Sequence, residues 1–298
     1  MPQPSPAWLD AQYNNRARIP AHAEYLKRWS DASALARDAS RCSLDLPFGP
    51  SPAETLDVFA TGRPGAPVLV FIHGGWWRSL DKRDHSFIAP AFTRAGAVVV
   101  VPNYGLCPAV GIETIVQQMV RALAWTWRHA AEHGGDPRRI VVAGHSAGGH
   151  LAAMMLCCRW SEVAADLPAR LVPSALSISG LFDLEPLRRT PFLQADLKLT
   201  PAAVLRLSPV HFPAPPGGRL YAAVGGDESE EFLRQNRLIR DAWGATAVPV
   251  CETVPGRHHF DVLHALVDPD GLLHAHALEL LGLREAGSSD RRSAGVDA

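Results

Sequence analysis

The strongest constraint on this chain is a rhythm in which short apolar runs alternate with segments of helical length. Val68–His73 (VLVFIH), Val98–Val101 (VVVV), Ile140–Ala143 (IVVA), Ala175–Ser179 (ALSIS), Leu220–Val224 (LYAAV) and Val248–Val254 are each bounded by Gly, Pro or charge. Short apolar runs of this kind fit strands buried on both faces of a parallel sheet. Between them, Ile115–Ala131, Ala147–Cys157, Glu230–Trp243 and Val262–Leu283 have the length and spacing of helices. Parallel strands need crossover connections, so the fold class is α/β, with a mostly parallel central sheet and helices on both faces. Thr55–Thr61 alternates apolar and polar residues, as a half-exposed strand does. Leu184–Pro216, rich in Pro, Arg and Leu, breaks the rhythm and reads as a small cap-like excursion over the carboxyl edge of the sheet.

The 298 residues suit one α/β domain. Residues 1–50 read as an N-terminal arm, with a short helix around Ala21–Trp29, packed on a domain spanning 51–285. Residues 286–298 (AGSSDRRSAGVDA) lack apolar content and read as a flexible tail. With 29 basic against 30 acidic side chains the net charge is −1, which gives no general attraction to nucleic acid or to an anionic membrane. No apolar run approaches the ~20 residues of a membrane span, and the first 20 residues contain no signal-like apolar stretch. Five cysteines (Cys42, Cys107, Cys157, Cys158, Cys251) are odd in number and scattered, which fits free thiols in a reducing cytoplasm. A small-molecule substrate is the expected partner, and a homodimer is left open. Neither a metal-ligand spacing nor a phosphate-cradling glycine motif is present, so no metal or cofactor is expected.

Two glycine-containing segments carry the chemistry. Gly144-His145-Ser146-Ala147-Gly148 falls between the strand IVVA and a helix of small residues. A serine on so sharp a strand-to-helix turn projects its hydroxyl from the sheet edge, and the helix start behind it offers free N–H groups. His73-Gly74-Gly75-Trp76-Trp77 ends the strand VLVFI. There the glycines let successive N–H groups converge on one point, as a developing oxyanion requires. The N–H groups of Gly75, Trp76 and Ala147 are the expected donors, while the His73 ring more naturally buttresses the loop.

An activated serine needs an imidazole, and the imidazole needs a carboxylate. His258 and His259 follow the last strand and a Pro-Gly turn, at the edge where a base must reach Ser146. After the strand LYAAV comes Gly225-Gly226-Asp227-Glu228-Ser229, and only one of the two adjacent acids can face the histidine. Glu228 has the Gly-x-x-acid spacing and is preferred; Asp227 has the more conventional residue type. The acid not used would cap the following helix.

Taken together, His73–Trp77, Gly144–Gly148 and the late His258-His259-Phe260 make the chain resemble the α/β-hydrolase superfamily, in its esterase–lipase branch. More narrowly it resembles the arylformamidase (kynurenine formamidase-like) group, in the HGG-aromatic-Trp loop, in Tyr13-Asn14-Asn15-Arg16, and in the acid loop Glu228–Gln235 (ESEEFLRQ). The resemblance implies an α/β-hydrolase fold and a Ser146–His259–acid triad. The activity it implies is hydrolysis of N-formylkynurenine, or of aryl and short-chain esters, through an acyl-enzyme and without a cofactor. It favours His259 over His258 and places the acid at Glu228. Trp76, Trp77, Tyr104, Phe182 and Phe260 lie on loops expected at the carboxyl edge, where an aromatic leaving group could stack. A broad carboxylesterase is the alternative within enzymes; a ligand receptor on an inactive hydrolase scaffold is the alternative outside them.

Overall fold

The computed structural model describes residues 4–284. Eight strands form one sheet: β1 (Cys42–Pro47), β2 (Thr55–Phe59), β3 (Ala66–Ile72), β4 (Val98–Pro102), β5 (Gly135–His145), β6 (Ser174–Ile178), β7 (Arg219–Gly225) and β8 (Val250–Val254). Their order is β1-β2-β4-β3-β5-β6-β7-β8. β2 runs antiparallel to both β1 and β4, and every pairing from β4 through β8 is parallel.

The apolar runs become strands because both faces of the sheet are covered. Val68, Val70 and Ile72 join Val98, Val100 and Val142 in one core, against the helices Ile112–His129, Ala147–Leu156 and Glu230–Ala247. Leu69 and Phe71 face the other way, with Val99, Val101, Val141 and Ala143, toward Phe92, Leu266 and Leu273. Successive residues of a strand thus feed two cores, so a polar residue on either face needs a buried partner, as Ser177 finds in the Gly149 carbonyl at 3.0 Å. Truncating a side chain such as Ile140, fully buried in β5, would cost about 2–5 kcal/mol.

The N-terminal arm contributes more structure than its composition suggests. The helix expected around Ala21–Trp29 extends over His22–Ala39, and β1 is a strand where only an arm is expected. β1 belongs to the sheet, so the boundary expected after residue 50 falls beyond the first strand. Its sequence, CSLDLP, is polar and ends in Pro, as an edge strand allows. β2 is also a correction, because it is buried along almost its whole length rather than half-exposed. The Asp57 carboxylate on it is matched by the buried Lys82 ammonium at 2.5 Å, with Asp45 at 2.7 Å from the same nitrogen. Removing Asp57 would strand a buried charge, a loss of about 3–5 kcal/mol.

The expected single helix Val262–Leu283 is instead two, His264–Val267 and Leu272–Leu280, interrupted at Asp268-Pro269-Asp270-Gly271. Pro269 disfavours helical backbone at the residue before it, and a Cβ at Gly271 would sit 2.2 Å from the Ala265 carbonyl oxygen. The excursion Leu184–Pro216 is a run of short helices, Glu185–Arg188, Pro191–Leu197 and Pro201–Leu207. The tail expected at 286–298 lies outside the described residues.

Candidate active site

Ser146 sits between β5 and the helix Ala147–Leu156 with φ 57° and ψ −119°, a combination that costs an L-residue energy and that the surrounding turn must enforce. Its N–H donates to the Ile178 carbonyl at 2.8 Å, which ties the turn to β6. The glycine two residues on is required by a close approach: a Cβ at Gly148 would lie 2.0 Å from the Ile72 carbonyl oxygen of β3. Any side chain there would push the helix start off the sheet, and Ser146 with it.

The Ser146 hydroxyl lies 3.1 Å from His259 Nε2, and His259 Nδ1 lies 2.6 Å from Glu228 Oε2. All three residues are buried. The second oxygen of Glu228 accepts from the Gly225 N–H at 2.8 Å and from the Ser179 hydroxyl. These donors fix the carboxylate, the carboxylate fixes which histidine nitrogen carries the proton, and the other nitrogen is left to accept from the serine. A hydroxyl, an imidazole and a carboxylate in this series can move a proton off oxygen and return it to a leaving group.

The structure brings Glu228, not Asp227, to the imidazole. Asp227 is exposed, and its N–H donates to the Arg257 carbonyl at 3.0 Å. Nor does Asp227 cap the next helix; the Ser229 side chain does that, accepting from Phe232 N–H. His258 turns away from Ser146: its Nδ1 accepts from the N–H groups of Phe260 and Asp261 at 3.1 and 3.2 Å, and its ring meets Tyr25 edge-on.

Beside Ser146 the loop after β3 is held from behind. The His73 ring bonds the Gly74 carbonyl at 2.9 Å and the Asn103 side chain at 3.1 Å, and it stacks on Tyr104 at 4.1 Å. The Tyr104 hydroxyl donates to the His73 and Gly74 carbonyls at 2.9 and 3.0 Å. With these carbonyls pinned, Gly75 takes φ 102° and Trp76 φ 55°. No carbonyl acceptor is found for the N–H of Gly75 or Trp76 among the described residues. His145, beside the serine, holds the His259 carbonyl at 2.9 Å. Burial, then the nearby His259 and His85, pushes the pKa of His145 well below its ordinary value, so its ring positions the neighbouring loop as a neutral group.

A small cavity of about 40 Å³ opens at Ser146, lined also by His145, Gly75, Trp76, His259, Phe260, Ser79 and Leu80. Of the aromatic side chains expected to meet substrate, Trp76 and Phe260 line it. Trp77, Tyr104 and Phe182 do not, and this is a correction. Trp77 is wholly buried with its ring edge-on to His150, Tyr104 is the strut just described, and Phe182 is core below Gly180. Aromatic type near a loop gave no side-chain direction. Sequence reasoning assigned no site role to Asn15, Arg16, Leu26 and Trp29, which complete the cavity from the N-terminal segment. The one available signal was the Tyr13-Asn14-Asn15-Arg16 match. Tyr13 anchors that segment, its hydroxyl donating to Glu231 at 2.6 Å and accepting from Gln235 at 3.1 Å. A far larger groove of about 970 Å³ lies elsewhere, between the carboxyl end of the helix Ala147–Leu156 and the starts of β6 and β7.

A mostly parallel sheet, a strained serine at a strand-to-helix turn and an imidazole–carboxylate pair beside it define an α/β hydrolase, and the chain belongs to that family. The α/β-hydrolase fold model matches residues 69–203. The kynurenine formamidase of Danio rerio is 30% identical over 272 residues, covering 89% of each chain. The esterase LipQ of Mycobacterium tuberculosis is 30% identical, over 73% of this chain and 57% of that one. Among solved structures, a thioesterase candidate from Silicibacter sp. tm1040 superposes with a TM-score of 0.78 at 34% identity, covering 89% of this chain and 97% of the other. The protein is a hydrolase. No helix among the described residues is long and apolar enough to cross a membrane.

Proposed function

We propose that the protein is a serine hydrolase that cleaves an aryl formamide of the N-formylkynurenine type. Ser146 Oγ attacks the formyl carbon while His259 Nε2 takes the hydroxyl proton, and Glu228 holds the imidazolium that results. The carbonyl oxygen becomes an oxyanion, met by the N–H groups of Gly75, Trp76 and Ala147. Collapse breaks the C–N bond as His259 returns the proton to the leaving aniline, which leaves Ser146 formylated. Water then attacks the formyl-enzyme with His259 again taking a proton, and formate departs as Ser146 is regenerated.

The observation that carries this reading is the unbroken series from Glu228 through His259 to Ser146, at 2.6 and 3.1 Å, beside a loop with free amide donors. The kynurenine formamidase relative matched over 89% of the chain supports the formamide as substrate. A second reading, a carboxylesterase acting on short-chain or aryl esters by the same steps, is favoured by the likeness to LipQ. The five free cysteines support a reducing compartment, and we place the enzyme in the cytoplasm.

The test is the ratio of kcat/KM for N-formylkynurenine to that for p-nitrophenyl acetate, because specificity is a ratio of transition-state affinities. The formamidase reading predicts a ratio well above one. A ratio at or below one selects the esterase, and a chain that resists labelling by a fluorophosphonate while folded excludes both.

A further inference from the structure

Two residues that line the cavity at Ser146 carry groups with unused hydrogen-bonding capacity. Asn15 Nδ2 and Trp29 Nε1 are buried donors with no acceptor in the protein, and both residues line the cavity. Asn15 is 4% exposed and Trp29 3%. A buried N–H left unpaired costs about 1–3 kcal/mol, so two in one wall is an expense that a ligand's acceptors would offset. Next to Asn15 stands Arg16, also lining the cavity; its guanidinium donates to the neutral Ser79 hydroxyl at 3.3 Å. The other walls supply aromatic surface (Trp76 and Phe260) and the reacting groups.

These donors come from one stretch of chain, which is packed against the elements that carry the triad. Tyr13 clamps it to the helix Glu230–Ala247 through Glu231 and Gln235. Trp29 is wedged among His85, Phe87, His145 and Phe260, with ring centroids 5.5 to 6.2 Å away. A cation beside two unpaired N–H donors suits an acceptor-rich anion, and a carboxylate fits best because a guanidinium can hold both its oxygens.

We propose that Asn15, Arg16 and Trp29 form a carboxylate-recognition wall that selects aryl formamides whose leaving group carries a carboxylate-bearing side chain. This rests on the formamidase reading and deepens it: the hydrolase core performs acyl transfer, and the N-terminal segment sets which leaving group is accepted. These are positioning and specificity residues, with no part in the covalent steps.

The experiment measures kcat/KM for N-formylkynurenine, for its methyl ester and for formanilide, in wild type, Arg16→Met, Arg16→Lys, Asn15→Leu and Trp29→Phe. Arg16→Met is expected to lower the ratio of N-formylkynurenine to formanilide at least about tenfold, through KM, the loss that follows when a charged hydrogen bond is removed. Arg16→Lys is expected to recover part of that loss. The methyl ester, with its carboxylate charge removed, should lose no more than formanilide does on Arg16→Met. Asn15→Leu should lower the same ratio while leaving Tm unchanged or higher, because it removes an unpaired buried donor; a purely structural asparagine would lose stability instead. Trp29→Phe keeps the ring and removes the N–H, and should lower the ratio about threefold or more. Ratios that stay within twofold of wild type in all four variants overturn the carboxylate wall while leaving the formamidase reading intact. A wild type that hydrolyses no formamide overturns that reading first.

Discussion

The two edges of the sheet differ in a way that separates room from reactivity. The amino edge, where β6 and β7 begin, holds the groove of about 970 Å³, and the carboxyl edge holds a cavity of about 40 Å³. Backbone strain is distributed in the opposite sense. Trp76, Leu80 and Ser146, non-glycine residues with φ between 55° and 71°, line the small cavity. Each such position costs about 1–3 kcal/mol and persists only where neighbours over-determine it. The helix Ala147–Leu156 joins the two edges, its strained start at Ser146 and its end in the large groove. Cavity size alone would therefore have named the wrong end of this helix. Converging donors and enforced strain single out the carboxyl edge instead.

The sharpest way to break this comparison is to remove the hydroxyl at the strained turn. Ser146→Ala is expected to lower kcat/KM for any acyl substrate by about 10^4-fold or more. Tm should stay within about 2 °C, because the turn is held by the backbone bond to Ile178 and by glycine packing. Activity assays beside thermal melts check both. Retained turnover would mean that the carboxyl edge is not where acyl transfer occurs.

Next in size is the acid. Glu228→Gln keeps the shape but removes the charge facing His259, and kcat should fall about 10^2- to 10^4-fold. Asp227→Asn, one residue away and exposed, should change kcat by less than about twofold. Steady-state kinetics on the pair decide between them; the reverse ordering would return the acid to Asp227.

Acid sensitivity should also belong to the carboxyl edge. Burial pushes His85 down to about 3, with the neighbouring His73 adding to it, and burial pushes His150 down to about 4. The buried His73 and His145 are lowered as well. In the unfolded chain these rings titrate near their ordinary value of ~6.5, so below it the unfolded state binds more protons than the native state. The stability they contribute is complete above that value and is lost as pH falls toward the folded values. Each ring contributes a slope of at most about 1.4 kcal/mol per pH unit. Urea denaturation at pH 7.5, 6.5, 5.5 and 4.5 should show little change over the first step and a steepening fall after it. A flat profile down to pH 5 would mean that these imidazoles are not held neutral.

How much of this was legible in the sequence depended on whether a signal was local. VLVFI, VVVV and IVVA announced buried strands because both faces of the sheet are covered, and GHSAG and HGGWW are contiguous turns whose glycines have local steric reasons. β1 was illegible because an edge strand needs no apolar face; Asp57 looked like the polar half of an alternation because its partner Lys82 lies 25 residues away. The assignment of Glu228 rested on spacing, whereas its fixing by Ser179 is a contact across 49 residues. The donors Asn15 and Trp29 reach the cavity only through the path of the N-terminal segment, which no periodicity encodes.

The smallest expected effect tests whether the large groove matters to the chemistry at all. Gln117 is exposed on the helix Ile112–His129 and lines that groove, so Gln117→Trp can place a ring in it without displacing a core side chain. The helix Ala147–Leu156, ten residues long, separates the groove from Ser146 by about 15 Å. Its first turn is held by the backbone of β3 and β6 rather than by its far end. Filling the groove should therefore leave kcat/KM within about twofold and alter stability by no more than about 0.5 kcal/mol, the range of ordinary surface changes. A tenfold loss with an unchanged Tm would show that the far end of the helix sets the position of Ser146. The two edges would then be coupled ends of one rigid lever, and the strain at Ser146 would be adjustable from the groove.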